Sequence, residues 1–244
     1  MEAGALKSVA VISLVFIMFS SLGTSVSSAQ ENTRVLDFQR LDPRLRDYGF
    51  ASEPALWADP IVEVCWENPT EDTKAARLLV EEAVEQSWPH FAHLAFTGWS
   101  EACSPSRRGV HILIVDEAAP PRSLIGNRLD GRPCGVRLNL TFQHWGGTYC
   151  AQHVQGCTRT IAIHEFGHVL GLIHESLRQD APQCCKDRAA VQNDSDNDPG
   201  DGNKVTPYDP KSIMNYCNRI YGRQQTLSDL DKVAARLMYP TPGQ

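Results

Sequence analysis

The segment His164-Glu165-Phe166-Gly167-His168-Val169-Leu170-Gly171-Leu172-Ile173-His174 constrains this chain more than any other. On a helix, His164 and His168 leave the same face one turn apart. That spacing lets two neutral ring nitrogens reach a single ion at ~2.0–2.1 Å, the distance expected for Zn²⁺. A helix carried straight on would put His174 on the wrong side. Gly171 removes the difficulty, because glycine adopts the left-handed conformation that ends a helix and turns the chain back. Three imidazoles then share one Zn²⁺ and leave a fourth position open. Glu165, beside the first histidine, reaches a water in that position rather than the metal. A helix bearing histidines and no metal is the bland alternative. At residue frequencies of about 2–7% each, however, the full pattern arises by chance in a chain this long well under once in ten thousand.

Composition supplies the compartment. Lys7 opens a short basic region and Val9 to Phe19 is an uninterrupted run of apolar and small residues. Small residues at Ser27-Ser28-Ala29 follow as a cleavage site. The run is shorter than the ~20 residues of a membrane span and reads as a secretory signal over residues 1–29. An uncleaved N-terminal anchor is the alternative. Export gives the eight cysteines their meaning: Cys65, Cys103, Cys134, Cys150, Cys157, Cys184, Cys185 and Cys217 read as a disulfide framework, with no C-x-x-C spacing among them. Four bridges allow 105 pairings. The adjacent Cys184 and Cys185 are expected to bond to two distant partners, since a vicinal bridge strains the peptide between them. With 23 basic against 29 acidic side chains, net charge -6, there is no basic footprint for nucleic acid.

Residues 30–59 are polar and without a clear period, which suggests a short prosegment or N-terminal arm. From Pro60 the pattern sharpens into one domain running to residue 244. Ile61–Trp66, Val110–Val115 and Gly135–Phe142 read as strands. Thr70–Trp88 reads as a helix with Ala75, Leu78, Leu79, Ala83 and Val84 on its apolar stripe. A helix over about Thr158–Leu170 carries the histidines, and a last one spans Ser228–Tyr239, with Ser228 and Asp231 as a capping box and Pro240 as its stop. Strands and helices intermix, so the class is α/β or α+β.

The histidine segment is followed by Ser212-Ile213-Met214-Asn215-Tyr216, and an extended three-histidine motif with such a Met-turn marks the metzincin metalloproteases. Within that clan the sequence resembles an astacin. Glu175 directly after the third histidine, Arg178 and Asp180 beyond it, and Tyr216 two residues past the methionine carry the resemblance. It is specific over about residues 160–180 and 208–216 and architectural over residues 61–239. Asn215 departs from it, standing where astacins usually carry histidine.

The resemblance implies an α+β metzincin-type domain: a mixed twisted sheet, an active-site helix and a C-terminal helix. It also implies a zinc endopeptidase with His164, His168 and His174 as metal ligands, Glu165 as general base and Tyr216 stabilising the oxyanion. Whether Tyr216 also ligates zinc at rest is left open. Met214 would form an apolar floor beneath the histidines. Glu175 would meet the new N-terminus of the processed enzyme in a buried salt bridge. Among Asp37, Asp42, Asp47 and Asp59, nothing separates a candidate for an astacin-type aspartate switch in the prosegment.

Several motifs stay outside this reading. Asp194–Asn203 has the composition of a calcium loop, but Pro199 sits where an EF-hand needs glycine and the twelfth position holds no glutamate. A solvated turn-rich loop is the preferred reading over bound calcium. Arg132-Pro133-Cys134-Gly135-Val136 resembles part of a matrixin cysteine switch, yet it lies between two strands, and a disulfide through Cys134 is the preferred reading. His90, His93, His111, His144 and His153 lack ligand spacing and are read as structural or surface residues. Of the sequons at Asn139 and Asn193, Asn193 is the more accessible by position. Gly135–Phe142 is a candidate edge strand for pairing with a peptide, and Arg219 and Arg223 are candidates for an acidic residue just after the scissile bond. The expected partners are protein or peptide substrates, with neither nucleic acid nor membrane once the signal is removed, and the chain is expected to be a monomer. A silent exported binding module that keeps zinc for stability is the competing class. Glu165 argues against it, because a structural site has no use for a base beside an open coordination position.

Overall fold

Five strands form one sheet in the order β2-β1-β3-β5-β4, in a computed structural model that describes residues 55–145, 148–191, 206–218 and 226–242. The signal region, Asp37, Asp42, Asp47, the Asp194–Asn203 loop, Asn193, Arg219 and Arg223 lie outside these residues. The described residues all belong to one compact unit, Gln39–Gln244.

β1 (Ile61–Trp66) pairs in parallel with both β2 (Ala95–Thr97) and β3 (Val110–Val115). β3 pairs in parallel with β5 (Arg132–Asn139), and β4 (Arg122–Ser123) runs antiparallel along the far side of β5. The sheet is therefore mixed. The pairing of β3 with β5 breaks register between Val110 and Ile112, where β5 fits Pro133, Cys134 and Gly135 into a bulge. Proline has no N–H to give a ladder, which explains its place there. β5 starts three residues before the strand read from the sequence, and it is not the rim of the sheet: β4 covers it at Val136 and Arg137. A two-residue strand carries too little periodicity to be seen in sequence.

α1 (Lys74–Glu85) packs on α3 (Val154–Leu170), which in turn lies against β4 and β5. The buried stripe of α1 is Val80, Ala83 and Val84; Leu78 is 56% exposed and Ala75 is also exposed, so the stripe sits one step round from the sequence expectation. In α3 nearly every residue from Cys157 to Leu170 is buried. A helix surrounded on all sides shows no amphipathic period, so this one is legible only through its histidines. Its core partners include Phe96, whose ring meets Phe166 edge-on at 5.0 Å, and Trp88, whose indole N–H donates to the Ile163 carbonyl at 2.7 Å. α5 (Asp229–Met238) starts at a full capping box, with Ser228 and Asp231 each accepting the other's backbone N–H.

Three disulfides join Cys65 to Cys103, Cys150 to Cys157 and Cys185 to Cys217. The second ties α2 (Thr148–Gln152) to the start of α3, and the third ties α4 (Gln183–Val191) to the segment after Met214. Closing the chain between Cys185 and Cys217, 32 residues apart, removes unfolded-state entropy worth about 4 kcal/mol. Cys134 and Cys184 are exposed and unbridged, so the expectation of four bridges, including one through Cys134, is corrected. Cys134 instead donates its backbone N–H to the Glu67 carboxylate at 2.6 Å, in a left-handed conformation at φ 55°. Cys185 does take a distant partner, as the adjacent pair requires; Cys184 does not.

Candidate metal centre

α3 stops where the sequence says it must. Gly171 takes φ +106°, its N–H donates to the His168 carbonyl at 2.8 Å, and the Leu172 N–H donates to the Gly167 carbonyl at 3.0 Å. These two bonds are the left-handed C-cap of a helix. The reversed chain carries His174 back to α3, and its Nε2 lies 3.0 Å from Nε2 of His164 and 2.9 Å from Nε2 of His168.

The outward nitrogens of the first two rings are already committed. His164 Nδ1 faces the Ile213 carbonyl at 2.7 Å, and His168 Nδ1 faces the Leu172 carbonyl at 2.8 Å. A carbonyl only accepts, so both Nδ1 atoms carry the proton and both Nε2 atoms present lone pairs. Burial, then the neighbouring His174, pushes His164 down to about 3 and holds His168 well below its ordinary value. Lone pairs converging at this distance repel unless a cation lies among them. Zn–N bonds of ~2.0–2.1 Å at near-tetrahedral or slightly narrower angles space ligand nitrogens ~3.0–3.4 Å apart. The three imidazoles therefore fit a zinc ion by the donor type zinc prefers and, with an opening of a few tenths of an ångström, by spacing, and His164 and His168 fit it by tautomer as well.

Around this centre, Glu165 is buried at 1% exposure, one residue after His164 on α3. The Tyr216 ring centroid lies 4.3 Å from that of His174 and 5.6 Å from that of His164. Met214 is buried on α3 at Gly167: a Cβ placed there would meet the Met214 sulfur at 2.3 Å. The Met214 carbonyl also accepts the Glu175 N–H at 3.0 Å, pinning the Met-turn to the residue after His174. Asn215 is wholly buried and structural. Its side-chain N–H groups donate to the Tyr208 hydroxyl and the Asp209 carbonyl, and its Oδ1 accepts the Cys217 N–H.

The Met-turn hangs from α5 through one carboxylate. Asp231 accepts the Ser212 hydroxyl at 2.6 Å and the backbone N–H groups of Ile213 and Ser228 at 2.9 Å. Ser212 Oγ in turn accepts the Met214 N–H at 2.9 Å. A single chain of bonds thus runs from α5 through Ile213 to His164. In the sequence Asp231 is visible only as half of a capping box.

Behind His174 lies a buried acidic cluster. Glu175 accepts the Asp209 N–H at 2.8 Å and lies 3.4 Å from the Arg178 guanidinium. Burial pushes its carboxyl up to about 8, against the opposing pull of Arg178. Arg178 is fully buried and gives its bidentate pair, both bonds 2.8 Å, to Asp180. One guanidinium therefore serves Asp180 and Glu175, with Asp209 and Asp231 close enough to push Glu175 further up.

Residues set aside at the sequence level stay apart from this centre. His111 is buried with Nε2 on the Arg107 carbonyl, beside Cys65 and Cys103, whose sulfurs are bonded to each other and so are not thiolate ligands. His153 stacks on Tyr149 with centroids 4.1 Å apart. Asn139 is 1% exposed and its Oδ1 accepts two backbone N–H groups, which closes that sequon to a glycan. Asp59 accepts the Ile61 N–H at the start of β1, which leaves its carboxylate in a turn.

Residues 146–238 match the family model described as Astacin, a peptidase family. Among solved structures, that of myroilysin is similar with a TM-score of 0.57 at 18% identity, covering 79% of this chain and 99% of that one. The hatching enzyme zinc-protease HCE-1 (high choriolytic enzyme 1) of the medaka fish Oryzias latipes gives a TM-score of 0.47 at 18% identity, covering 79% of this chain and 94% of that one. Comparison with curated proteins finds no match.

Proposed function

We propose that the chain is an astacin-like zinc metalloendopeptidase, a reading supported by the family match over residues 146–238 and by the fold, that it is exported, and that His164, His168 and His174 hold the zinc, with Glu165 as general base and Tyr216 as oxyanion donor. The observation that carries the site assignment is the approach of His174 Nε2 to within 2.9–3.0 Å of the Nε2 atoms of His164 and His168, both of these left unprotonated by carbonyls that hold the proton on the far side of the ring. Export rests on the apolar run Val9–Phe19 and on three disulfides, which belong to an oxidising compartment. No helix among the described residues is long and apolar enough to cross a membrane. In this reading residues 1–29 are the signal, 30–59 a short arm containing the prosegment, and 60–244 the catalytic domain.

Zinc held by three imidazoles supplies Lewis-acid polarisation of a peptide carbonyl and acidifies water. Glu165 takes a proton from the attacking water and returns it to the nitrogen of the leaving amine. Burial of Glu165 keeps that carboxylate away from bulk water, to which a transferred proton would leak. The Tyr216 hydroxyl donates to the oxygen that becomes negative as the carbonyl carbon turns tetrahedral. Glu175 receives the ammonium of the N-terminus that prosegment removal creates. The acidic cluster around Glu175 supports this, because its carboxylates outnumber the one arginine that serves them.

Cleavage of denatured protein by the purified, processed enzyme tests the assignment. Glu165→Gln is expected to lower kcat by about 10²–10⁴-fold with zinc content unchanged, and Tyr216→Phe by about 10²-fold with little change in KM. Wild-type activity in either variant would remove that residue from the mechanism.

A further inference from the structure

The last four carbonyls of a helix have no partner within it. At the end of α3, Gly167 and His168 are served by the glycine turn. The other two are served by aromatic side chains far apart in the chain, one just before β1 and one just after α5. The Trp57 indole N–H donates to the Val169 carbonyl at 2.7 Å, and the Tyr239 hydroxyl donates to the Leu170 carbonyl at 2.7 Å. The two caps are joined, because the Tyr239 oxygen also accepts the Trp57 backbone N–H at 3.3 Å.

Trp57 belongs to the stretch Ala55–Trp57, just before β1. Ala55 is fully buried, and the Leu56 carbonyl accepts a bond from the Asn127 side chain at 2.9 Å. The Ala55 carbonyl lies so close to Gly126 that a Cβ there would stand 1.8 Å from it, and a Cβ at Gly171 would press on Leu56 at 3.2 Å. Both glycines have positive φ. The stretch is thus a strap laid across the turn that reverses the chain between His168 and His174.

That turn sets the metal centre. His168 is oriented by the Leu172 carbonyl, one residue past Gly171, and His174 is reached only through residues 171–173. We propose that Trp57 and Tyr239 are positioning residues for the three-histidine centre: by capping Val169 and Leu170 they fix the turn that aims His168 and His174 at the metal. The strap Ala55–Trp57 is then a working part of the enzyme, and maturation must cut before Ala55. This inference rests on the three-histidine reading of the zinc site.

The test is zinc affinity, measured by competition with a chelator, in Trp57→Phe and Tyr239→Phe. Tyr239→Phe keeps its ring and loses the donor to Leu170 together with the acceptor of the Trp57 N–H, and Trp57→Phe exchanges the indole for a smaller ring and loses the donor to Val169. Each is expected to weaken zinc binding about 3- to 10-fold, the worth of one hydrogen bond. The d–d absorption band of the cobalt(II)-substituted protein is expected to shift in both variants. Trp66→Phe is the control: Trp66 is fully buried and donates an equivalent indole bond to the Trp99 carbonyl at 2.8 Å, away from the end of α3. It is expected to lower thermal stability while leaving zinc affinity and the cobalt band unchanged. N-terminal sequencing of the active enzyme should show a start before Ala55. Unaltered affinity and spectrum in Trp57→Phe and Tyr239→Phe, or an equal change in Trp66→Phe, would overturn the positioning role while the zinc reading stood. A wild-type chain that took up no zinc would overturn both.

Discussion

Replacing Gly167 by alanine should destabilise this protein, although helix propensity alone says the reverse. Glycine inside a helix costs about 1 kcal/mol relative to alanine, an upper bound for Gly167, which lies in the last turn of α3. A Cβ at this position would stand 2.3 Å from the Met214 sulfur, 3.2 Å from its terminal methyl and 3.1 Å from the Trp88 ring. Ordinary contacts between such atoms are ~3.5–4.0 Å, so the methionine must retreat by more than ~1 Å within a core where it is 1% exposed. Overpacking of this kind costs about 1–3 kcal/mol. The net loss is then up to about 2 kcal/mol, or up to about 8 °C in Tm for a domain of this size. Thermal melts of Gly167→Ala in wild-type and Met214→Ala backgrounds isolate the cause. With the methionine truncated, the same alanine should be neutral or stabilising by up to ~1 kcal/mol, a coupling typical of residues in contact. A higher Tm for Gly167→Ala in the wild-type background, or equal effects in both, would refute the claim that Met214 reserves this position for glycine.

Two further expectations concern the supports of the site. Asp231→Ala leaves the Ile213 and Ser228 N–H groups and the Ser212 hydroxyl without their acceptor; at about 1–3 kcal/mol for each buried group, a loss of at least ~3 kcal/mol should appear in chemical denaturation. Asp231→Asn, which keeps one acceptor oxygen, should lose less. Burial raises the Asp231 carboxyl above its ordinary value against the pull of its hydrogen bonds. The folded chain therefore holds this proton more tightly than the unfolded one, and stability falls as pH rises from about 4 through the folded value. With metal chelated throughout, that fall should be steeper in wild type than in Asp231→Asn; an equal slope would assign it to other groups. Alkylation of the denatured, unreduced chain should mark Cys134 and Cys184 alone, as read by peptide mass. Under native conditions Cys134, although exposed, should react slowly at pH 8, because partial desolvation and the Glu67 carboxylate raise its thiol above the ordinary value.

Much of this was legible in the sequence, for identifiable reasons. The spacing of the histidine motif is what reaching one ion from a helix and from the chain beyond its end would require, and Gly171 takes the left-handed turn that this arrangement needs. Two long strands and α5 announced themselves by alternation and by a capping box, both local signals. What stayed hidden is non-local. β2 and β4, of three and two residues, exist only because a neighbour offers an edge. The stripe on α1 was misplaced by one step because Leu78, apolar and at the right spacing, points to solvent. The pairing of Cys185 with Cys217, and the exclusion of Cys134 and Cys184, depend on which sulfurs the fold brings together. The supports of the histidines were the least visible. Asp231, Trp57 and Tyr239 act from far along the chain on carbonyls and amides, which carry no sequence signature.

The central claim is that three imidazoles hold one zinc ion, and zinc stoichiometry tests it most directly. Purified wild type, equilibrated with zinc and then dialysed against metal-free buffer, should retain about one zinc per chain by elemental analysis, and His174→Ala should retain almost none. Wild type free of zinc after dialysis, or His174→Ala still carrying about one equivalent, would contradict the account.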